Sequence, residues 1–293
     1  MQKIAVIGAT GELGRLVVSH LVQNINKNDL IIIAKDTNKA KELFGNKYEI
    51  RLGDYTEPKT LSTAFENVDK LLFISSPFGD DMLRIQQHIN VINTAKESGV
   101  KHIYYTSTEA VGRDLVPDSA NIHAITELAL KSSGIATTIL RTGYYQELFV
   151  NDGLYQYIES GKILTCAGNE KISSIERNDI ALAIATVLTK ENQENKVYNL
   201  FASESWSYNE LASILSELSG KNVEHIQMPS DEVLNILLSS GVPEALAYWS
   251  VGLQQAVSLG TEARVSNDIE MLIGRNPKTL KESIANHLDA KKN

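Results

Sequence analysis

The feature that most constrains the fold of this chain is a glycine-rich turn, Gly8-Ala9-Thr10-Gly11-Glu12-Leu13-Gly14, set directly after a short apolar run, Ile4-Ala5-Val6-Ile7. Leu16, Val17, Leu21 and Val22 follow with helical spacing, so the glycines stand between a strand and a helix. In such a unit each glycine has its own steric duty. Gly8 permits the tight turn, Gly11 lets the backbone approach a diphosphate, and Gly14 lets helix and strand pack closely. The helix amino terminus offers N–H groups and partial positive charge to the phosphates, with Thr10, Glu12 and Leu13 in the same cradle. The spacing is one residue longer than the simplest dinucleotide fingerprint. Its place at the carboxyl end of the first strand, where open parallel sheets hold ligands, carries the reading.

Short apolar runs alternate with longer helical patterns through the first half, which predicts a doubly wound, Rossmann-type α/β fold with a parallel sheet covered on both faces. Strands are expected at residues 3–7, 30–35, 48–52, 70–75, 102–106 and 137–141, with another at 196–201 after a helix at 179–190. In the helix ended by Gly99, the spacing puts Ile85, Ile89, Ile92 and Ala95 on the apolar stripe and Arg84, Gln87 and Asn90 on the solvated face. Beyond Arg141 the character changes, with Tyr144, Tyr145, Phe149, Tyr155 and Tyr157 close together. The expected division is a dinucleotide-binding Rossmann domain of residues 1–150 plus about 176–200, and a smaller C-terminal, substrate-covering lobe of about 151–175 and 201–293. Within that lobe Ser207 and Glu210 have the spacing of a helix capping box.

Composition removes several function classes. The 293 residues carry 28 Lys and Arg against 36 Asp and Glu, a net charge of −8, which argues against a nucleic-acid partner. One cysteine, Cys166, allows neither an intrachain disulfide nor a Cys-rich zinc site, and a cytoplasmic location is expected. The six histidines lack metal-ligand spacing, so no metal is expected. The apolar runs are too short for a signal peptide or a membrane helix, so neither secretion nor membrane insertion is expected. Homo-oligomer formation is left open.

The choice of dinucleotide turns on the end of the second strand, where a carboxylate favours a ribose hydroxyl and a cation a 2′-phosphate. Lys35 and Asp36 supply both signs side by side. The reading leans to NADP through Lys35, with Lys39 as a second cation and NAD as the alternative.

Taken together, Gly8 to Gly14, Gly53-Asp54-Tyr55, Phe73-Ile74-Ser75-Ser76, Tyr105-Thr106-Ser107 and Leu140-Arg141-Thr142-Gly143-Tyr144-Tyr145 resemble the NmrA-like group of atypical short-chain dehydrogenases/reductases. Within it the chain is most similar to bacterial type 2 NAD(P)H:quinone oxidoreductases. The likeness extends to Lys196-Val197-Tyr198-Asn199-Leu200 and Ile273-Gly274-Arg275-Asn276-Pro277. It implies a cleft for nicotinamide and substrate, Lys35 in the place of an arginine that grips the 2′-phosphate, Asp54 and Tyr55 bordering the adenine, and Ser75, Ser76 and Pro77 passing under the cofactor. It also implies an oxidoreductase that moves hydride from NAD(P)H to a small acceptor, a quinone first. The rival within the same group is a redox sensor that binds dinucleotide without turning it over and reports to a protein partner.

The Tyr-x-x-x-Lys pair of most short-chain dehydrogenases is missing: the segment after Ser107 reads Asn121-Ile122-His123-Ala124-Ile125-Thr126-Glu127-Leu128. His123 and Glu127 share a helical face, so Glu127 is expected to orient His123 or favour its protonated form. Quinone-reductase relatives place a lysine where this chain has Leu128. The catalytic candidates are therefore His123, Ser107 and Glu127, with Thr106 beside the nicotinamide. Phe78, Tyr144 and Tyr145 are candidate walls for a planar substrate. Sugar-nucleotide chemistry is handicapped by the missing pair, and a hydrolase by the lack of a GxSxG elbow.

Overall fold

The structure is a computed structural model that describes residues 2–77, 79–108 and 119–290, with backbone only at 119 and 120. Two compact units emerge. The first comprises Met1–Thr142, Arg177–Leu200 and Met271–Gly274, the second Gly143–Glu176, Phe201–Glu270 and Arg275–Asn293.

In the first unit the order is β1 (Ile4–Ile7), α1 (Glu12–Leu21), β2 (Leu30–Ala34), α2 (Thr37–Phe44), β3 (Glu49–Leu52), α3 (Pro58–Ala64), β4 (Lys70–Phe73), α4 (Asp81–Glu97), β5 (His102–Thr108), α5 (Ser119–Ser133), β6 (Ala136–Thr142), α6 (Arg177–Thr189) and β7 (Val197–Leu200). The seven strands form one sheet in the order β7-β6-β5-β4-β1-β2-β3. Every pairing is parallel. The order reverses between β1 and β4, the position where doubly wound sheets open a ligand crevice.

The apolar runs are continuous because both faces are covered. Ala5, Ile7, Ile31, Ile33, Leu71, Phe73, Ile103 and Tyr105 form one buried cluster with Leu61 of α3, Val91 and Ile92 of α4, and Leu130 of α5. On the other face Ile4, Val6, Leu30, Ile32 and Leu72 are buried as well. Strand boundaries lie within two residues of those expected. β4 stops at Phe73: the Ile74 N–H still reaches the Ile7 carbonyl, but the Ile74 carbonyl and the Ser75 and Ser76 N–H groups pair with side chains instead of the ladder. β5 runs on to Thr108, its last residues in register with Arg141 and Thr142 of β6.

The expected face of α4 is corrected. Arg84 is only 5% exposed and His88 fully buried, whereas Ile85 and Ile89 are half-buried. The inward face of α4 carries two polar residues that find polar partners or cover inside, and hydrophobic periodicity assigns such residues to solvent.

The second unit has its own core, in which Leu154, Ile163, Ile172, Trp206, Tyr208, Leu211 and Leu215 are joined by half-buried Tyr144, Phe149, Tyr155 and Tyr157. Short ladders pair Tyr144–Tyr145 with Ser174–Ile175, and Lys162–Thr165 with Glu224–Gln227. The capping box at Ser207 and Glu210 is present in full at the start of the helix Tyr208–Ser219. Among the described residues no helix is long and apolar enough to cross a membrane.

Candidate cofactor site

The glycine turn leaves β1 at the switch point. Gly8 has φ +82°, a conformation that side chains resist. A Cβ on Gly14 would lie 2.4 Å from the Gly8 carbonyl oxygen and 2.7 Å from Ala9 Cα, so this glycine is required by the packing of α1 on the turn. Gly11 differs. Its φ of −73° and ψ of 167° suit any residue. A Cβ there would meet only the Gly8 carbonyl, at an ordinary 3.4 Å. The fold itself does not require glycine at this position. Gly11 is also the N-cap of α1 and supplies no side-chain cap, which keeps the first-turn N–H groups of α1 available to an anion. Half-buried Thr10 and buried Leu13 flank the turn, and the Glu12 carboxylate is held 2.8 Å from Arg177.

At the end of β2 the two charges separate. Asp36 becomes the N-cap of α2, its carboxylate accepting from the N–H groups of Asn38 and Lys39, both at 3.0 Å. Lys35 extends outward with its side chain 76% exposed and pairs with Asp54 at 2.9 Å. Burial disfavours the charged Asp54 carboxyl. The Thr56 N–H, the Lys35 ammonium and the Thr56 hydroxyl together outweigh this and hold it below the usual carboxylate range. Lys39 is exposed on α2.

The segment after β4 is held by side chains at three consecutive residues. The Tyr55 hydroxyl donates to the Ile74 carbonyl (2.6 Å), the Ser75 N–H donates to Thr106 Oγ1 (2.9 Å), and the Ser76 N–H donates to His88 Nε2 (3.0 Å). Tyr55 and Thr106 thus act on the segment that carries Ser75, Ser76 and exposed Pro77.

The catalytic candidates are arranged differently from expectation. Glu127 does not orient His123. Its carboxylate accepts from Ser107 Oγ at 2.6 Å and from Arg141 Nε and Nη2 at 3.1 and 2.7 Å. His123, 8% exposed, instead has its Nδ1 2.7 Å from the Tyr105 hydroxyl. Burial, aided by the Arg84 charge, lowers the His123 pKa to about 4, so the ring is neutral at neutral pH and the expected protonated form is corrected. The cause lies in β5: Tyr105 and Ser107 point to the same face, and each meets a different residue of α5.

Sequence reasoning missed His88, Arg84 and Tyr105 as parts of this arrangement and gave Arg141 no role. Arg141 and Tyr105 stand in motifs that carry the family resemblance, which marked the segments but not these side chains; His88 and Arg84 carried no signal. Arg84 Nε and Nη1 are buried without a hydrogen-bond partner among the described residues. Phe78 lies outside the described residues. Tyr144 and Tyr145 belong to the second unit, where Tyr144 donates to Glu262 at 2.9 Å and Tyr145 is in register with Ile175. Cys166 is buried and its thiol pKa is pushed up by burial, which makes it inert. No cluster of three metal-ligating side chains occurs among the described residues.

The sequence profile of the NmrA-like family matches residues 1–287. The chain belongs to the NmrA-like family. Quinone oxidoreductase 2 of Escherichia coli strain K12 is 35% identical over 283 residues, which cover 96% of this chain and 97% of that protein. The NAD(P)H azoreductase of Xenophilus azovorans is 28% identical over 291 residues, 98% of each chain. Among solved structures, the triphenylmethane reductase of Citrobacter sp., crystallised in complex with NADP(H), superposes with a TM-score of 0.93 at 43% identity, covering 97% of this chain and 99% of that one. An NmrA-like chain with these relatives is an oxidoreductase by kinship, and its seven-stranded parallel sheet is the expected Rossmann-type fold.

Proposed function

We propose that this NmrA-like protein is an NADPH-dependent reductase of small, planar, electron-poor acceptors, with quinones as the first class. The observation that carries the reading is the glycine turn: Gly8 and Gly14 are explained by the fold, whereas a side chain would fit at Gly11, and its absence suits a ligand lying on the amino terminus of α1. Lys35 supports a 2′-phosphate, because Asp36 is committed to capping α2 while Lys35 is extended and solvated. Lysine keeps the charge of an arginine without its planar fork. The relatives named above, a quinone reductase, an azoreductase and a dye reductase, share conjugated acceptors.

When bound, the nicotinamide supplies the hydride. The chain's own part is to hold and orient. Glu127 and Arg141 fix the Ser107 side chain at the carboxyl end of β5, and His123 stays neutral, so the proton that completes acceptor reduction is drawn from water. Stopped-flow mixing of NADPH-loaded protein with p-benzoquinone and menadione tests the reading. Saturable NADPH oxidation above the uncatalysed rate is expected. Tight NADPH binding with no oxidation of any acceptor would overturn it in favour of the dinucleotide sensor.

A further inference from the structure

His88 lies on α4, fully buried, and no motif in the chain points to it. Its ring is edge-on to Phe73 at a centroid distance of 5.0 Å, and Tyr105 lies against it on β5. The hydrogen bonds determine its protonation state. The Thr126 hydroxyl can donate to the Ile122 carbonyl at 2.7 Å, which leaves its oxygen to accept from a proton on His88 Nδ1, 2.8 Å away. His88 Nε2 accepts the Ser76 N–H at 3.0 Å and must be bare; the Ser76 hydroxyl lies equally close. An imidazolium would set N–H against N–H in a dry interior. The groups facing the ring, Arg84, His123 and Tyr105, provide no negative charge to compensate for one.

We propose that His88 is a positioning residue of the cofactor site: as the neutral tautomer protonated on Nδ1, it fixes the Ser76 peptide and with it the Ser75 to Pro77 segment at the carboxyl end of β4. This rests on the dinucleotide reading above. Ile74 lies beside the glycine turn, its Cβ 3.1 Å from where a Cβ on Gly8 would fall, so this segment and the turn share the switch-point edge of the sheet. Tyr55 and Thr106 hold Ile74 and Ser75; among the described residues His88 alone reaches Ser76, the last residue so held, and it does so from a helix. An apolar side chain in its place would strand a buried amide and let the segment relax.

The test compares His88→Leu with His88→Gln, whose side-chain oxygen offers the Ser76 amide an acceptor at similar reach. With wild-type protein binding NADPH, His88→Leu is expected to raise the NADPH Kd and KM at least tenfold while the acceptor KM changes less than twofold, and His88→Gln to recover most of the loss. Circular dichroism and melting establish that both variants are folded. Should His88→Leu fail to fold, two-bond 1H–15N correlation spectra of the wild type read the tautomer directly: His88 protonated on Nδ1 and bare on Nε2 from pH 8 to pH 5. A folded His88→Leu that binds NADPH as the wild type does, or a His88 ring that titrates in that range, overturns the proposal. Failure of the wild type to bind any dinucleotide would instead defeat the functional reading.

Discussion

The Tyr105 hydroxyl lies 2.7 Å from His123 Nδ1, in an interior that the Arg84 charge also reaches. That relationship, rather than a partnership with Glu127, decides the chemistry open to His123. The ring is neutral above its lowered pKa of about 4. The kcat of acceptor reduction is therefore expected to show no break near pH 6.5 assignable to a histidine acid. A rate that falls tenfold per pH unit above 6.5, and loses this dependence in His123→Gln, would contradict the assignment.

The same burial links stability to pH. His88, His102 and His123 have folded-state pKa values lowered to about 3, 4 and 4, all by desolvation first. Groups lowered in this way stabilise the fold fully above their unfolded value of about 6.5 and lose that contribution as the pH falls toward the folded values. Unfolding at pH 5 should take up about one proton at each of these rings, up to about three in all. Thermal melts at pH 7.5 and pH 5 check this: a lower Tm at pH 5 is expected, and equal values would refute it.

Cofactor choice should reside in Lys35. Its pairing with Asp54 is solvent-exposed on the lysine side and costs little to give up, about 1 kcal/mol or less. A charge-assisted contact to phosphate is worth about 1.5–3 kcal/mol. Lys35→Ala is expected to weaken NADPH binding about tenfold or more and to leave NADH binding nearly unchanged, and Lys35→Arg to strengthen NADPH. Fluorescence titrations with both reduced dinucleotides measure it, and equal losses for the two would contradict the role.

The glycines should separate by phenotype. Gly14→Ala places a Cβ against backbone atoms that cannot move aside and is expected to destabilise the fold by about 2 kcal/mol or more. Gly11→Ala should leave stability within about 1 kcal/mol of wild type and weaken NADPH binding about tenfold, about 1.4 kcal/mol. Urea unfolding and ligand titration of the two variants distinguish them.

Leu128 provides a negative control. It follows Glu127, about 100° further round α5, and is 66% exposed in a groove of about 640 Å³ that Glu127, Lys131 and Val197 also line. Leu128→Lys is expected to change kcat less than twofold. A large gain would show that a cation at this position takes part in turnover.

What the amino-acid sequence determined by itself was local and steric. The alternation of apolar strands with helical stripes predicted the parallel sheet, because both faces of each strand had to be apolar to be covered. Gly8 and Gly14 were legible for steric reasons: the turn takes a positive φ at Gly8, and Gly14 packs against the backbone of the turn. The charges of Lys35 and Asp36 were also legible, but their roles were not, since neighbours in sequence separate only once the strand ends and Asp36 turns to cap α2. Tertiary structure decided the rest. His88 and Ser76, Tyr105 and His123, and Glu127 with Ser107 and Arg141 meet through contacts between different elements. Local periodicity assigns an inward polar residue such as Arg84 or His88 to solvent. Only the packing of helix on sheet shows that the face is buried and that a polar group there has to be satisfied or bear the cost of desolvation.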